Sequence, residues 1–452
     1  MLSSCAVQKY EARPLEPQAL AEAFEARRLD QPGLMEYMIG QGYPADAFPL
    51  RQWGLRELTL AAFYFHPSLE VARASWKSMQ VKERIAAEKP VPGVSTQIDR
   101  NDRIDGKSPW SYGVIFSIPI EQPDKRAARI DQAASLSEAA RIEIAQSAWQ
   151  VRSNLRGQLQ AYAAVLHRIT LLQEEIGVRE EIVQMLQNRV DAGMVSNLDL
   201  NQARLQLQKS HQLLAALQNS LPEQRATLAA AVGVSAEAMQ DIIIDPVQPV
   251  AATPSDRDLQ RAALLNRLDI RAALARYDAA ESNLRMEIAR QYPDIVLSPG
   301  YVFDQGYNLW TLGFSFLLNM LNKNEKSIAD ARASRELEAS QFLALQAKVL
   351  QDLAQAQARY LGMLQNLEKQ EKLLQAQKQR TLLSQRQFEA GYIDRLELTA
   401  TRLEETAAKQ SVLESSIQAE AATLALEDAL QKPLDSLALP DLPEPETAAN
   451  EP

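Results

Sequence analysis

The chain contains two long stretches of helix-forming sequence that both end in Ala-Gly, at Gly193 and at Gly391. Other residues recur at nearly the same spacing of about 200 positions, for example Trp110 and Trp310. An offset this constant indicates two copies of one supersecondary unit rather than two unrelated domains. We therefore expect a first structural repeat over residues 55–250 and a second over residues 251–433.

Each repeat contains a proline-free stretch long enough for an unusually long helix. Between Pro123 and Pro222, apolar residues recur at spacings of mostly three and four, which predicts a helix with one sustained buried stripe. A helix over residues 125–191 would be about 100 Å long. Such a rod must pack lengthwise against similar helices. We therefore expect each glycine to be followed by an antiparallel helix, ending near Leu228 or Leu430.

Between the short and the long helix of each repeat, the apolar period changes to two. Large side chains alternate with small or polar ones over residues 110–119 and 310–318, and residues 94–104 and 293–303 precede them as pairing partners. Strands of about ten residues with an apolar outer face and a small or polar inner face are typical of outer-membrane β-barrels. A hairpin packed on a soluble helical bundle would carry the same alternation.

Both turn glycines lie where the chain must reverse after a helix, which requires a left-handed conformation that glycine adopts without steric cost. Asp394 can then cap one returning helix, and Ser196 or Asn197 can cap the other. Apolar residues surround both turns, where a plain hairpin would be polar, so an interface is favoured. These tip residues are Gly193, Met194, Val195, Ser196, Leu198, Gly391, Tyr392, Ile393 and Asp394.

The composition narrows the function classes. A formal net charge of −10, without a basic stripe, argues against nucleic-acid binding. Three scattered histidines argue against a metal site. We find no Gly-rich phosphate loop, nucleophile elbow or zinc-binding histidine pair, so we expect no enzymatic activity and no cofactor. No apolar run approaches the roughly 18 residues of a membrane-spanning helix.

The two ends of the chain differ from the repeats. Residues 1–54 contain several prolines and predict an extended N-terminal arm with a short helix or two. The arm begins with Leu2-Ser3-Ser4-Cys5, the pattern that precedes a lipid-modified cysteine, yet no charged and apolar signal-peptide regions stand in front of it. Cys5 is therefore either a lipid anchor or a free thiol. Residues 434–452 predict a disordered tail.

The order of helix, strand pair, long helix and shorter helix, present twice, resembles the TolC-like outer-membrane efflux protein family. The most specific matches are residues 188–199, Gln202-Ala203-Arg204 and residues 386–397. The resemblance implies a mainly α fold with a small β part. It implies a homotrimer whose long antiparallel helical hairpins form an α-barrel across the periplasm. Each protomer would contribute four strands to a 12-stranded transmembrane β-barrel in the lipid of the outer membrane.

The resemblance also implies a function: a passive exit duct of a tripartite efflux or secretion system. The tip residues would dock a periplasmic adaptor protein that connects the duct to an inner-membrane efflux pump. The strand exit, residues 118–121 followed by Lys125-Arg126, looks like family members that serve heavy-metal pumps, although this match is short. A soluble coiled-coil scaffold without transport activity is the alternative.

A carboxylate stands six residues after each turn glycine, at Asp199 and Glu397. Acidic residues at this place line the channel constriction in the family and select for cations, so the resemblance implies a constriction at Asp199, Glu397 and Arg395. The family's second acidic position is Gln202 or Ala400 here. A favourable charge in the first turns of a helix is the other explanation of both carboxylates. Four arginines are placed to compensate part of this charge: Arg189, Arg204, Arg395 and Arg402.

Overall fold

The computed structural model describes residues 9–102, 108–245, 267–316 and 323–434. The helices are α1 (Pro17–Glu25), α2 (Pro32–Gly40), α3 (Leu55–Phe65), α4 (Pro67–Ala87), α5 (Pro123–Asp191), α6 (Asn197–Val232), α7 (Leu268–Ala289), α8 (Glu325–Glu389) and α9 (Arg395–Leu430). The strands are β1 (Gln52–Trp53), β2 (Gly93–Arg100), β3 (Trp110–Ile120), β4 (Ile243–Ile244), β5 (Ile295–Asp304) and β6 (Tyr307–Phe316). The mainly α fold with a small β part is confirmed.

The duplication is visible in the lengths of the helices. α5 has 69 residues and α8 has 65, while α6 and α9 have 36 each. At 1.5 Å per residue, α5 is about 100 Å long, as the sequence predicts. Within the described ranges, no helix is both long and apolar enough to cross a bilayer. Cys5, residues 246–266 around the predicted boundary between the repeats, and residues 435–452 lie outside the described residues.

The long helices form a layer that is four helices wide along its length. α5 packs on α4 and α7 over its first half and on α6 and α9 over its second half, and α8 packs on α7 and α9. Arg126 near the start of α5 donates to the carbonyl of Ala87 at the end of α4, which fixes this arrangement next to the strands. One edge of the layer is therefore α4 followed by α6, and the other edge is α8.

The strands form an antiparallel sheet in the order β2-β3-β5-β6. Trp110 pairs with Arg100 in the first repeat, and Trp310 pairs with Tyr301 in the second. β3 and β5 join the repeats, from Ser111 opposite Asp304 to Ile120 opposite Ile295. The predicted strand pairs are confirmed over the described residues, although β2 ends at Arg100. Residues 103–104 and 317–318 of the predicted strands lie outside the described residues.

The main hydrophobic core lies where the N-terminal arm meets α3, α5 and the end of α6. Leu34 and Met38 of α2 are buried there against Leu155 and Leu228. A parallel pair of short strands, β1 and β4, closes the same region. A smaller core around Leu353 joins α7, α8 and α9 in the second repeat. The arm forms the expected short helices, but it also supplies part of the core, which the sequence did not predict.

A buried ionic cluster connects the two repeats. Glu427 of α9 is fully buried and pairs with Arg156 of α5, which is also buried, and with Arg152 at 3.7 Å. The neighbouring Asp428 accepts hydrogen bonds from the Trp149 indole at 3.0 Å and from the Ser153 hydroxyl at 2.8 Å. Because all these contacts join α5 to α9, they fix the position of the second repeat against the first.

Candidate functional site

Both long helices end in the same backbone motif. The amide of Gly193 donates to Val190 and the amide of Met194 donates to Arg189, which are the two hydrogen bonds of a Schellman motif. The amides of Gly391 and Tyr392 make the equivalent bonds at the second turn. The glycines have φ of +74° and +77°, so the predicted left-handed turns are confirmed. A Cβ at either glycine would meet no atom within 4 Å.

Side chains after each glycine start the returning helix. The Ser196 hydroxyl accepts a hydrogen bond from the amide of Leu198 at 3.2 Å. The Asp394 carboxylate accepts one from the amide of Glu397 at 2.8 Å. Each satisfies one of the free amides at a helix N-terminus, so the caps at Ser196 and Asp394 are confirmed. The two hairpins therefore end in short turns with fixed geometry.

The apolar tip residues divide into two groups. Met194, Leu198 and Tyr392 are exposed, and Tyr392 keeps 83% of its surface accessible. Val195 and Ile393 are half-buried beside the turns. The sequence predicted that all five side chains belong to an interface. In the structure, the first three offer free apolar surface.

An ion pair connects the tips of the two hairpins. Arg189 of α5 donates to the Asp394 carboxylate at 2.7 Å. The amide of Glu397, and next the Arg189 guanidinium, lower the pKa of Asp394 because both stabilise its charged form. The same carboxylate therefore caps α9 and joins α9 to α5.

The two candidate constriction carboxylates are exposed, each in the first turn of a helix. Asp199 accepts a hydrogen bond from Ser196 at 3.2 Å. It also lines a cavity of about 240 Å³ together with Arg179 and Leu403. A first-turn position suits the helix-dipole explanation, and it also leaves both carboxylates free to face a neighbouring subunit. In the part of the chain described here, no group of three or more His, Cys, Asp or Glu is arranged to hold a metal ion.

Within one protomer, the four arginines contact groups other than the two carboxylates. Arg395 lies 3.9 Å and Arg402 lies 3.3 Å from Glu181 of α5. Arg395 and Glu397 are two residues apart and so point about 200° away from each other around the helix. The remaining two arginines contact other residues, since Arg189 binds Asp394 and Arg204 donates to Gln187.

A row of polar contacts between α5 and α9 was not predicted from the sequence. Glu174 pairs with Lys409 at 2.9 Å, seven residues from the pair between Glu181 and Arg402. Opposite charges repeated every seven residues on two helices were the signal for this contact. Between them, the mostly buried Glu175 accepts hydrogen bonds from α5, α6 and α9, through Arg179, Ser210 and Gln410. The row holds the two hairpins side by side above their tips.

Comparison with known proteins shows the family. The model of the outer membrane efflux protein family matches the chain twice, over residues 64–234 and 259–431, one match in each repeat. The chain belongs to this family of outer membrane efflux proteins. It is accordingly an outer-membrane protein with a large helical part in the periplasm, and the soluble scaffold alternative is rejected.

Solved structures of outer-membrane proteins have the same fold. The chain has a TM-score of 0.70 and 18% identity to the outer-membrane channel OprN, over 95% of this chain and 100% of that one. For the outer membrane protein VceC from Vibrio cholerae, the TM-score is 0.69 at 21% identity, over 84% of this chain and 97% of that one. The TolC-like fold is thus confirmed.

A curated relative is also similar in sequence. The cobalt-zinc-cadmium resistance protein CzcC of Cupriavidus metallidurans is 26% identical over 260 residues, which cover 55% of this chain. The match spans 60% of the length of that relative.

Proposed function

We propose that this chain is the passive exit duct of a tripartite efflux or secretion system and that it closes as a homotrimer. The observation that carries the proposal is the distribution of exposed leucines across the helical layer. In the half of the layer nearest the tips, α6 exposes Leu198, Leu205 and Leu213 on one face. At the opposite edge, α8 exposes Leu361, Leu373, Leu382 and Leu383.

The inner helices of this half differ from the two edges. α9 exposes no large apolar side chain, and α5 exposes only Leu166 within its half nearest the tips. The edge helices thus carry the apolar surface that a protomer leaves uncovered. An exposed apolar surface of this kind is typical of a protein interface. Because the α6 edge and the α8 edge differ, the contact between them is head-to-tail, and a head-to-tail contact forms a ring when the rotation between subunits closes.

The sheet supports closure in the same way. Among the residues that the structure describes, β2 and β6 each pair on one side only, which leaves their other backbone edges without a partner strand there. In lipid, a free backbone edge must be paired, and closure into a barrel pairs it. Trp310, Leu312, Phe314 and Phe316 expose large apolar side chains along β6. We expect three protomers to contribute four strands each to one 12-stranded barrel.

The tips are where we expect the periplasmic adaptor protein to dock, and through it the inner-membrane pump. Two rigid turns per protomer present Met194, Leu198 and Tyr392 to solvent. An adaptor with an apolar surface would bury these side chains. Asp199 and Glu397 would then line the constriction of the trimer, where carboxylates attract cations. No catalytic activity is expected.

The proposed cargo is a divalent transition-metal cation. Sequence similarity to a cobalt-zinc-cadmium resistance protein supports this class. A duct with acidic residues at its constriction suits a cationic cargo. A strain lacking the chain should become sensitive to such metals. If its sensitivity to cobalt, zinc and cadmium is unchanged while sensitivity to organic toxins increases, the cargo assignment is wrong.

Paired substitutions at the edge and in the interior of the layer test the duct. Leu361→Asp places a charge on the α8 edge, and Leu166→Asp is a matched control on the inner helix α5, since the two leucines are 45% and 37% exposed. We expect L361D to abolish the detergent-resistant trimer and export, and L166D to retain both. Equal behaviour of the two variants would contradict the proposed subunit interface.

A further inference from the structure

The N-terminal arm is attached to the layer at the edge formed by α4 and α6. The Arg27 guanidinium donates to the carbonyls of Phe65 at 2.9 Å and Gly233 at 2.8 Å. These carbonyls stand at the end of α3 and just after α6. A Cβ at Gly233 would lie 2.9 Å from the Cα of His66, so the chain segments are in close contact there. The arm therefore leaves the protomer at the edge that the proposed neighbour faces.

The helix α1 has an apolar face that the described protomer covers only in part, through the Arg27 guanidinium, which lies 5.0 Å from the centre of the Phe24 ring. None of its residues is buried. Leu20 and Phe24 are one turn apart on one face, and both are exposed, as is Leu15 just before the helix. Gln18 and Glu22 lie on the opposite face, joined by a hydrogen bond of 3.2 Å. A short amphipathic helix of this kind gains stability only by burying its apolar face against a partner.

The other edge of the layer carries a matching surface. On α8, a strip of exposed uncharged residues recurs at spacings of four, three and four: Leu343, Ala347, Leu350 and Ala354. This is close to the heptad spacing that accepts a second helix. We refer to these four residues as the α8 strip.

Along the long axis of the helical layer, the α8 strip lies at the same level as the N-terminal arm. Val349 and Leu353, next to the strip, pack in a core with Leu426 of α9. The next residue of α9, Glu427, pairs with Arg156 of α5. Leu155, beside Arg156, is buried in the core that contains the arm. In a ring of identical subunits, equivalent residues lie at the same level along the ring axis. The α8 strip of one subunit therefore faces the N-terminal arm of the next.

The charges favour a protein partner over a lipid surface. Residues 9–25 contain four carboxylates and two cations, so an anionic membrane would repel the arm. The strip itself is uncharged. Within residues 343–361 of α8, Lys348 and Arg359 are exposed cations, while the acidic Asp352 is partly buried. An acidic arm and a weakly basic helix are complementary.

We propose that α1 crosses the subunit boundary and packs Leu20 and Phe24 on the α8 strip of a second copy of this chain. The arm then ties neighbouring protomers together midway along the helical layer. This inference rests on the proposed homotrimer, and it adds a contact that the edges of the layer do not require. It gives the trimer a second, separable interface.

Site-specific photocrosslinking in native membranes tests the contact between α1 and the α8 strip separately from trimer formation. A benzophenone amino acid at Leu20 should link to the peptide that contains the α8 strip of a sister chain and give a dimer on a denaturing gel. The same group at Gln18, on the polar face of α1, should give much less of this product. A benzophenone at Leu213, on the α6 edge, reports the trimer independently of the arm.

The outcomes are distinct. The contact of α1 with the α8 strip would be refuted if Leu213 links to a sister chain while Leu20 links only to its own chain, to lipid or to nothing. That result would leave the proposed trimer intact. Absence of sister-chain links from both positions would refute the proposed function as well.

A pair of charge variants gives a second readout. The double variant Leu20→Asp and Phe24→Asp should lower the temperature at which the trimer dissociates in detergent, because it places two charges in the α1 contact. The variant Gln18→Asp should leave that temperature unchanged. Folding of the protomer is not at risk, since α1 has no buried residue. Equal dissociation temperatures for the double variant and the control would overturn the proposal.

Discussion

Replacing Glu427 by alanine should destabilise the protein far more than removing an exposed ion pair. The Glu427 side chain is 0% exposed, and its partners Arg156 and Arg152 are 1% and 4% exposed. Its second oxygen accepts a hydrogen bond from the amide of Leu434 at 2.8 Å. The substitution thus deprives two buried guanidinium groups of their carboxylate and an amide of its acceptor.

The magnitude follows from burial. Breaking a buried ion pair by removing one partner costs about 3–5 kcal/mol, because a buried charge loses its compensation. The pair between Arg380 and Glu404 is a matched control, since it also involves α9 and has a distance of 2.6 Å, but its side chains are 61% and 53% exposed. Removal of an exposed pair costs about 0.2–1 kcal/mol. We expect E427A to cost at least about three times as much as E404A.

Thermal unfolding in detergent, followed by circular dichroism, measures the difference. E427A should lower the midpoint strongly, and E404A should stay close to the unmodified protein. The isosteric variant E427Q should fall between them, because it keeps the shape and one acceptor but removes the charge. If E427A and E404A shift the midpoint equally, the buried cluster does not hold the repeats together and the reasoning is wrong.

Three further predictions concern the tips and the helical layer. Tyr392→Asp, at an exposed tip position, should abolish export and leave trimers in the membrane; export at the normal level would exclude adaptor docking there. Replacing Asp199 and Glu397 together by alanine should reduce the preference for cations in bilayer conductance. Unchanged selectivity would mean that both carboxylates act only as favourable charges at a helix end. Burial raises the pKa of Glu420, so its charged form opposes folding. Glu420→Gln should therefore raise the melting temperature at neutral pH, and this gain should vanish as the pH falls below the ordinary pKa of a glutamate, while a gain independent of pH would contradict the mechanism.

Local patterns made much of the fold predictable. A glycine that directly follows a long apolar stripe, as at Gly193 and Gly391, determines both the end of the helix and the reversal of the chain. The alternation around Trp110 and Trp310 predicted strands because a period of two suits only a strand. Ser196 and Asp394 stand directly before the first residue of a helix, where their side chains cap the free amides.

Contacts between distant residues were not predictable in this way. Glu427 and Arg156 are 271 positions apart, and no local pattern distinguishes them from charges on a solvated helix face. Leu34 and Met38 are buried against α3 and α6, although the sequence predicted an extended arm with short helices and no share in the core. The tip residues show the same limit, since the half-buried state of Ile393 depends on how the turn packs. Such features follow from how the helices pack, which a single sequence does not display.

The central claim is that the two apolar edges of the helical layer meet in a closed ring of three subunits. The most direct measurement is the mass of the detergent-solubilised complex, determined by light scattering with correction for bound detergent. We expect three times the chain mass of 50.4 kDa, with the complex extracted from the outer membrane. A single chain of 50.4 kDa that needs no detergent would contradict the account.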